Sequence, residues 1–496
     1  MKNKFKIFFV APEVAPFIGK SRLAEAAGAL PKSLKDLGHD IRMMMPNYRN
    51  VNERKYILRD VIRLKDMPIQ IGKQAYAASG KSAFLPDSKV QIYFLDYKPF
   101  FDRQSLYDDP KTRKPYADNS ERFLFFAYGC LETLKLLHWQ PDVIHCNDWQ
   151  TALVPVLLKT HYRDDPFFKN VHVLMTIHNF AEQGSFPGQA TVAHELAANG
   201  LYPDSQMSMN GKFNFLKAGL LNSDLFNVVG ETYAKAVQEN KAWFKEFGEV
   251  WQSRRKALIG VNEGIDGSRW NPVSDVHLEH HYSANNFTGK LQSKRTFASA
   301  AGLQAPENAP LVLVQMSPAL AAALPDPDKI FGPLLAKKVS LIAIGPLDGK
   351  WQKALAKFAK PYASQLLIKT DADEQFTHRA LAAADMMLSV YAEENELCNH
   401  LHAMCYGTLP VVLCLAGEPE SVVDYASKTS AATGFLCHKP VAAEVLKTLN
   451  TAIKVFEDSK TWVKLMKNAM KKDYSWNAVA EKYTTLYTQL ALSAKK

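Results

Sequence analysis

Short apolar runs rich in β-branched and aromatic residues alternate along the chain with longer stretches of helical period. The first half carries "FKIFFVAP", "DIRMMMP", "VQIYFLDY", "DVIHCND", "HVLMTIHN", "LFNVVG" and "ALIGVNEGI". The second half repeats the rhythm with "PLVLVQMS", "VSLIAIG", "QLLIKT", "MMLSVY", "LPVVLCLA" and "GFLCH". Continuous apolar strands separated by helical segments predict parallel sheets covered on both faces, so the fold class is α/β with two Rossmann-like, doubly wound domains. The break falls in "NEGIDGSRWNPVSD", Asn262 to Asp275, where Gly264, Gly267 and Pro272 punctuate an otherwise periodic sequence. Open α/β sheets bind ligands outside the carboxyl ends of their strands, and two such sheets facing each other would leave a central cleft there.

The chain of 496 residues is 47% hydrophobic and 22% charged, which is globular composition with enough apolar surface for sizeable cores. Its formal charge of +10 comes from 60 Lys and Arg spread along the sequence rather than clustered, so no nucleic-acid partner is expected. Cys130, Cys146, Cys398, Cys405, Cys414 and Cys437 form no CxxC pair and fit no zinc spacing, and read as reduced core residues. In the N-terminal run Pro12 and Glu13 interrupt the apolar stretch, and no small-residue cleavage site follows. No segment approaches the ~18 apolar residues of a membrane span. The expectation is a soluble, cytoplasmic protein.

The stretch "VAPEVAPFIGKSRLAEAAGALPKSLKDLGHDIRMMMP", Val10 to Pro46, reads as strand, loop, helix, strand. Such a unit can hold a phosphorylated ligand at the helix N-terminus, where unpaired N–H groups and the helix dipole favour negative charge. Its loop, however, reads Gly19-Lys20-Ser21-Arg22, with bulk where a phosphate would want glycine. Polar groups also end two later strands, in His145-Cys146-Asn147-Asp148-Trp149 and in Thr176-Ile177-His178-Asn179. A lone histidine after a strand is more often structural. With Asn179, Glu182 and Gln183 close behind, His178 stands equally well as a sugar-binding or catalytic group. Tyr97, Phe100, Phe101 and Tyr107 read first as a packed loop and second as a platform for stacking sugars.

Taken in order, these blocks resemble the bacterial glycogen synthases and plant starch synthases, retaining glucosyltransferases of the GT-B fold that use ADP-glucose. The resemblance rests on "FFVAPEVAPF", "LAEAAGALPKSLKDLGHDIRMMMPNY", "YADNSERFLFFAYGCLE", "PDVIHCNDWQTALVPVLLK", "TIHNFAEQGSFP", "FNFLKAGLLNSD" and "GIDGSRWNP". It continues through "AAADMMLSVY", "AMCYGTLPVV" and the tail "NAMKKDYSWNAVAEKYTTLYTQL". It implies an N-terminal acceptor-side domain over 1–265, a nucleotide-sugar domain over 266–475, and a C-terminal helix within 476–496 that packs back on the first domain. It further implies that His178, Asp148 and Glu394 serve catalysis and that Glu13, Glu25, Asn179 and Gln183 bind substrate. No cofactor and no metal are expected; ADP-glucose is the implied co-substrate and an α-glucan the implied partner.

The departures from the family pattern fall on the groups that neutralise the donor diphosphate. Family members read Lys-Thr-Gly-Gly-Leu where this chain has Gly19-Lys20-Ser21-Arg22-Leu23. An Arg and a Lys that follow the first strand of the second domain become Pro318 and Ala323. The loop Glu-Pro-Cys-Gly-Leu-Thr becomes Glu394-Asn395-Glu396-Leu397-Cys398-Asn399, a Gly-Gly pair becomes Ala416-Gly417, and an interdomain Asn becomes Glu263. Removing one donor of this kind typically costs a factor of about 10² to 10³ in rate. Lys20 and Arg22 are the candidates for replacement phosphate-binding charge, and their alternative reading is a solvated basic loop. Two functions follow: glucosyl transfer from ADP-glucose to an α-1,4-glucan with retention, or a catalytically impaired relative that binds glucan or regulates glycogen metabolism.

Overall fold

The strand β1 (Lys6–Val10) buries every side chain but that of Lys6 and occupies the middle of the first sheet. The computed structural model describes residues 4–19, 21–180, 182–187, 207–239, 247–346, 349–391, 400–415 and 417–493. It divides into two units, Met1–Gly264 with Trp476–Lys496, and Ile265–Ser475.

In the first unit, β1 is followed by helix α1 (Arg22–Asp36) and then by β2 (Asp40–Pro46), β3 (Arg59–Asp60), β4 (Met67–Ile71), β5 (Gln74–Phe84) and β6 (Gln91–Asp96). Helix α2 (Asn119–Leu136) leads to β7 (Val143–Asn147), β8 (His172–Ile177), β9 (Leu225–Val228) and β10 (Leu258–Gly260). Among the described residues the sheet order is β10-β9-β8-β7-β1-β2-β6-β5-β3, with β4 paired to β5. From β10 to β6 every pairing is parallel, as the continuous apolar runs predict. The antiparallel extension through β5 was not foreseen. Its sequence "QAYAASGKSAF" is built of small and polar residues and lacks the β-branched signal that marks the other strands.

The second unit contains α3 (Thr288–Ala300), β11 (Leu311–Gln315), α4 (Pro318–Ala323), β12 (Ser340–Ile344), α5 (Gly349–Ala359) and β13 (Leu366–Lys369). Helix α6 (Glu374–Ala383), β14 (Met386–Tyr391), β15 (Leu409–Cys414) and β16 (Phe435–Cys437) follow. Among the described residues its sheet is six-stranded and all parallel, in the order β13-β12-β11-β14-β15-β16. Both sheets are doubly wound.

Helix α7 (Trp476–Ser493) belongs to the first unit and is tied to its sheet by buried polar bonds. The His145 ring meets the Tyr487 hydroxyl at 2.8 Å through Nδ1 and Thr176 Oγ1 at 2.7 Å through Nε2. His39 Nε2 meets Thr484 Oγ1 at 2.9 Å, and Asn227 Nδ2 donates to the Tyr483 hydroxyl at 3.1 Å. Buried polar groups that all find partners specify one docking position for the helix. His145, at the end of "DVIHC", is therefore a core residue. The aromatic cluster is packed as well: Phe100 and Phe101 are buried, Tyr97 lies 4.9 Å from the Phe125 ring, and Tyr107 donates its hydroxyl proton to Glu13 Oε1 at 2.7 Å.

Candidate active site

The carboxyl ends of β1, β7 and β8 are neighbours in the first sheet, and the loops that leave them bring the predicted residues together. Asp148 follows β7 with φ 55° and ψ −178°, a conformation that costs a non-glycine residue on the order of 1–3 kcal/mol. Two bonds hold it there, from Asp148 N to Thr176 O at 2.9 Å and from Thr151 N to Asp148 O at 3.2 Å. In this pose Asp148 Oδ1 accepts the backbone N–H of His178 at 2.7 Å. The Asn179 N–H bonds the same side chain. Burial pushes the Asp148 carboxyl up to about 6, against the opposing pull of His178.

The His178 side chain is 5% exposed and both its ring nitrogens are engaged. Asn147 donates its Nδ2 to Val10 O at 3.0 Å, which turns its Oδ1 toward His178 Nε2, also at 3.0 Å. His178 Nδ1 lies 2.9 Å from Glu263 Oε1. Burial alone would raise the Glu263 carboxyl, but the charge of Arg22 and the hydrogen bond from His178 outweigh it and bring it down to about 2. Two acceptors, one of them an anion, therefore face the two ring nitrogens. This arrangement favours a proton on each nitrogen, the imidazolium form of His178. Its pKa moves accordingly: burial works to lower it, while Glu263 and Asp148 together raise it above the ordinary value.

Arg22 completes the chain. Its Nε donates to Glu263 Oε2 at 2.8 Å and its Nη2 stands 2.6 Å from the same oxygen. The guanidinium considered as replacement charge for a diphosphate is thus neutralised by the very residue that replaces the family's Asn. Lys20 and Glu394 lie outside the described residues.

A second cluster surrounds Glu13, which is buried. Its Oε2 accepts from Ser21 Oγ at 2.9 Å, and Ser21 caps α1 by accepting Ala24 N–H at 3.1 Å. Gly19, at φ +85°, packs against this carboxylate: a Cβ there would stand 2.3 Å from Glu13 Oε2. The loop has kept a glycine, and uses it to approach Glu13. Glu25 sits in the first turn of α1, where the helix dipole favours an acid. Gln183 is engaged by protein groups at both ends of its amide: its Nε2 donates to Phe180 O at 3.2 Å in its own loop and its Oε1 accepts at 2.9 Å from Nδ2 of Asn214, which caps the helix Phe215–Asn222.

In the second unit, Pro318 is the first residue of α4 and Ala323 the last, and Ser317 caps the helix by accepting Leu320 N–H at 3.1 Å. A cavity of about 590 Å³ opens here at the carboxyl ends of β11 and β12, lined by Ser317, Pro318, Ala321, Pro346, Lys350 and Trp351 among others. Lys350 is the cation among these lining residues. Nothing in the sequence pattern singled it out, whereas Asn147, the last residue of β7, stood among the polar groups that end that strand.

A starch synthase catalytic domain family model matches residues 6–250. The glycogen synthase of Chlorobium phaeobacteroides is 32% identical over 498 residues, covering 99% of both chains. That of Chlorobium phaeovibrioides is 32% identical over 500 residues with the same coverage. The chain belongs to the glycogen and starch synthase family. The catalytic domain of starch synthase IV from Arabidopsis thaliana, solved bound to ADP and acarbose, superposes with a TM-score of 0.82 at 23% identity, covering 99% of this chain and 100% of that one. The fold is therefore GT-B, and this chain is a glycosyltransferase of the glycogen and starch synthase type. Among the described residues, no helix is long and apolar enough to cross a membrane.

Proposed function

We propose that this chain transfers glucose from ADP-glucose to the end of an α-1,4-glucan with retention, and that donor entry requires the Arg22–Glu263–His178 network to open. The observation that carries the reading is likeness to glycogen synthases over 99% of both chains, together with Asp148 and His178 fixed at the strand ends of the first sheet. The starch synthase IV neighbour binds ADP and acarbose, and the same ligand pair is the natural one to offer this chain.

The chemistry asks for positive charge at the leaving diphosphate as the glycosidic bond breaks. In this reading Arg22 supplies it once Glu263 releases it. The His178 imidazolium, oriented by Asp148 through its backbone N–H, hydrogen-bonds the transferred sugar after exchanging one of its two protein acceptors. The cost of separating this partly buried ion pair slows turnover. The same network supports a second reading, a relative that binds glucan without transferring to it, because Glu263 places a permanent anion where the donor's phosphates would arrive.

Transfer of labelled glucose from ADP-glucose to glycogen, measured beside a His178→Ala control, decides between them. Incorporation that disappears in the control establishes a synthase. No incorporation above the control, from protein that still binds glycogen, establishes the second reading.

A further inference from the structure

Helix α6 presents Glu374 and His378 one turn apart, and the loop carrying His277 lies beside them in the same unit. His378 is fully buried, and its Nδ1 is 2.7 Å from Asp275 Oδ2 and 3.0 Å from the Tyr406 hydroxyl. The Tyr406 hydroxyl in turn donates to Asp275 Oδ2. A carboxylate at Nδ1 places the ring proton there, so in the neutral ring Nε2 holds a lone pair. That atom is buried and has no hydrogen-bond partner. A histidine kept only to brace Asp275 would have no use for Nε2 in this position.

The orphaned nitrogen points at ligand-bearing neighbours. Glu374 Oε1 lies 3.8 Å from His378 Nε2 and 4.0 Å from His277 Nε2, and one ligand atom from each of the three residues falls within 4.8 Å of the others. Tetrahedral Zn²⁺ with bonds of about 2.0–2.1 Å spaces its ligands roughly 3.4 Å apart. His277 and Glu374 are partly exposed and can close the difference by side-chain rotation, while Trp270, stacked 3.9 Å from the His378 ring, fixes the buried partner. Asp275 ties the two segments together, since its Oδ1 accepts the backbone N–H of His277 at 2.9 Å while its Oδ2 faces the ring Nδ1 of His378 at 2.7 Å. Carboxylate support behind a ligating imidazole is how metal sites set tautomer and orientation.

We propose that His277, Glu374 and His378 form a binding site for a divalent transition-metal ion of the Zn²⁺ class, with a fourth position open to solvent. The two-imidazole, one-carboxylate set suits Zn²⁺ over Mg²⁺ or Ca²⁺. Arg269 Nε, 2.7 Å from Glu374 Oε1, competes for the carboxylate; its side chain is nearly half exposed and moves aside as the ion enters. The site belongs to the second unit and is independent of the transfer reading.

The test is titration of the full-length, untagged, chelator-stripped protein with Zn²⁺ against a chromophoric chelator, with Co²⁺ absorption reporting geometry. The expected result is one equivalent bound by the wild type with a tetrahedral Co²⁺ spectrum, binding at least tenfold weaker in His277→Ala, and binding tightened in Arg269→Ala. Glu374→Gln gives an independent reading if His277→Ala fails to fold. No stoichiometric binding by the wild type, or equal binding by His277→Ala and Glu374→Gln, overturns the site.

Discussion

His178 Nδ1 and Arg22 Nε reach opposite oxygens of Glu263, at 2.9 and 2.8 Å. One carboxylate thereby holds the imidazole of the second strand-end loop and the guanidinium that opens α1. An Asn at the same position could accept from one of them but could neutralise neither, so the single change to Glu263 alters charge and mobility across the whole first-unit site.

That arrangement predicts the titration of His178. Glu263→Asn removes the partner that outweighs burial, leaving burial and the Arg22 charge to work against Asp148. The His178 pKa then falls from above 6.5 to below it, measured by NMR of ring-labelled histidine. An unchanged value would contradict the imidazolium assignment.

Stability should carry the same signature. The folded-state pKa of Glu263 is depressed from 4.5 to about 2, so its contribution is present above pH 4.5 and is lost as pH falls through about 2. His178 is raised above 6.5, so its contribution is full below 6.5 and is lost as pH rises through the folded value. Asp148 is raised from 3.8 to about 6, and its effect is complete below 3.8 and lost on passing about 6. Asp148→Asn keeps an acceptor for His178 N–H and removes this last slope, on the order of 3 kcal/mol between those limits. Urea unfolding across pH 4 to 7 reads it as a flatter profile than the wild type's.

Gly19→Ala tests the Glu13 loop. Its positive φ and the 2.3 Å approach of a Cβ to Glu13 Oε2 leave no room for a methyl group. Destabilisation of about 1–3 kcal/mol in denaturant unfolding is expected, together with weaker glucan binding as Glu13 is displaced.

Restoring charge to the second unit should restore donor affinity. Pro318 is exposed, begins α4 and lines the cavity, so Pro318→Arg adds a cation there without disturbing the core. Calorimetric ADP binding tightens at least tenfold if the 590 Å³ cavity is the donor pocket, and Lys350→Ala weakens it.

The apolar runs made both parallel sheets legible, because a strand buried on two faces must be apolar throughout. The strand β5 stayed hidden because its Ala, Ser and Gly residues carry no such pattern. The departure at Glu263 was visible as a charge where an amide is usual, yet its partners were not, since Arg22, His178 and Glu263 converge only through the order of strands in the sheet. Arg22, weighed as phosphate-binding charge, proved to be already paired. Gln183, expected at the substrate, has both ends of its amide engaged by Phe180 and Asn214.

In the proposed reading Glu263 restrains the donor site by holding Arg22 and His178. The most direct measurement is the rate of glucose transfer from ADP-glucose to glycogen by Glu263→Asn beside the wild type. Release of Arg22 predicts a kcat/KM for ADP-glucose at least tenfold higher in the variant, in line with the factor of about 10² to 10³ that one such charge contributes. An equal or lower kcat/KM in a folded Glu263→Asn protein would contradict the account.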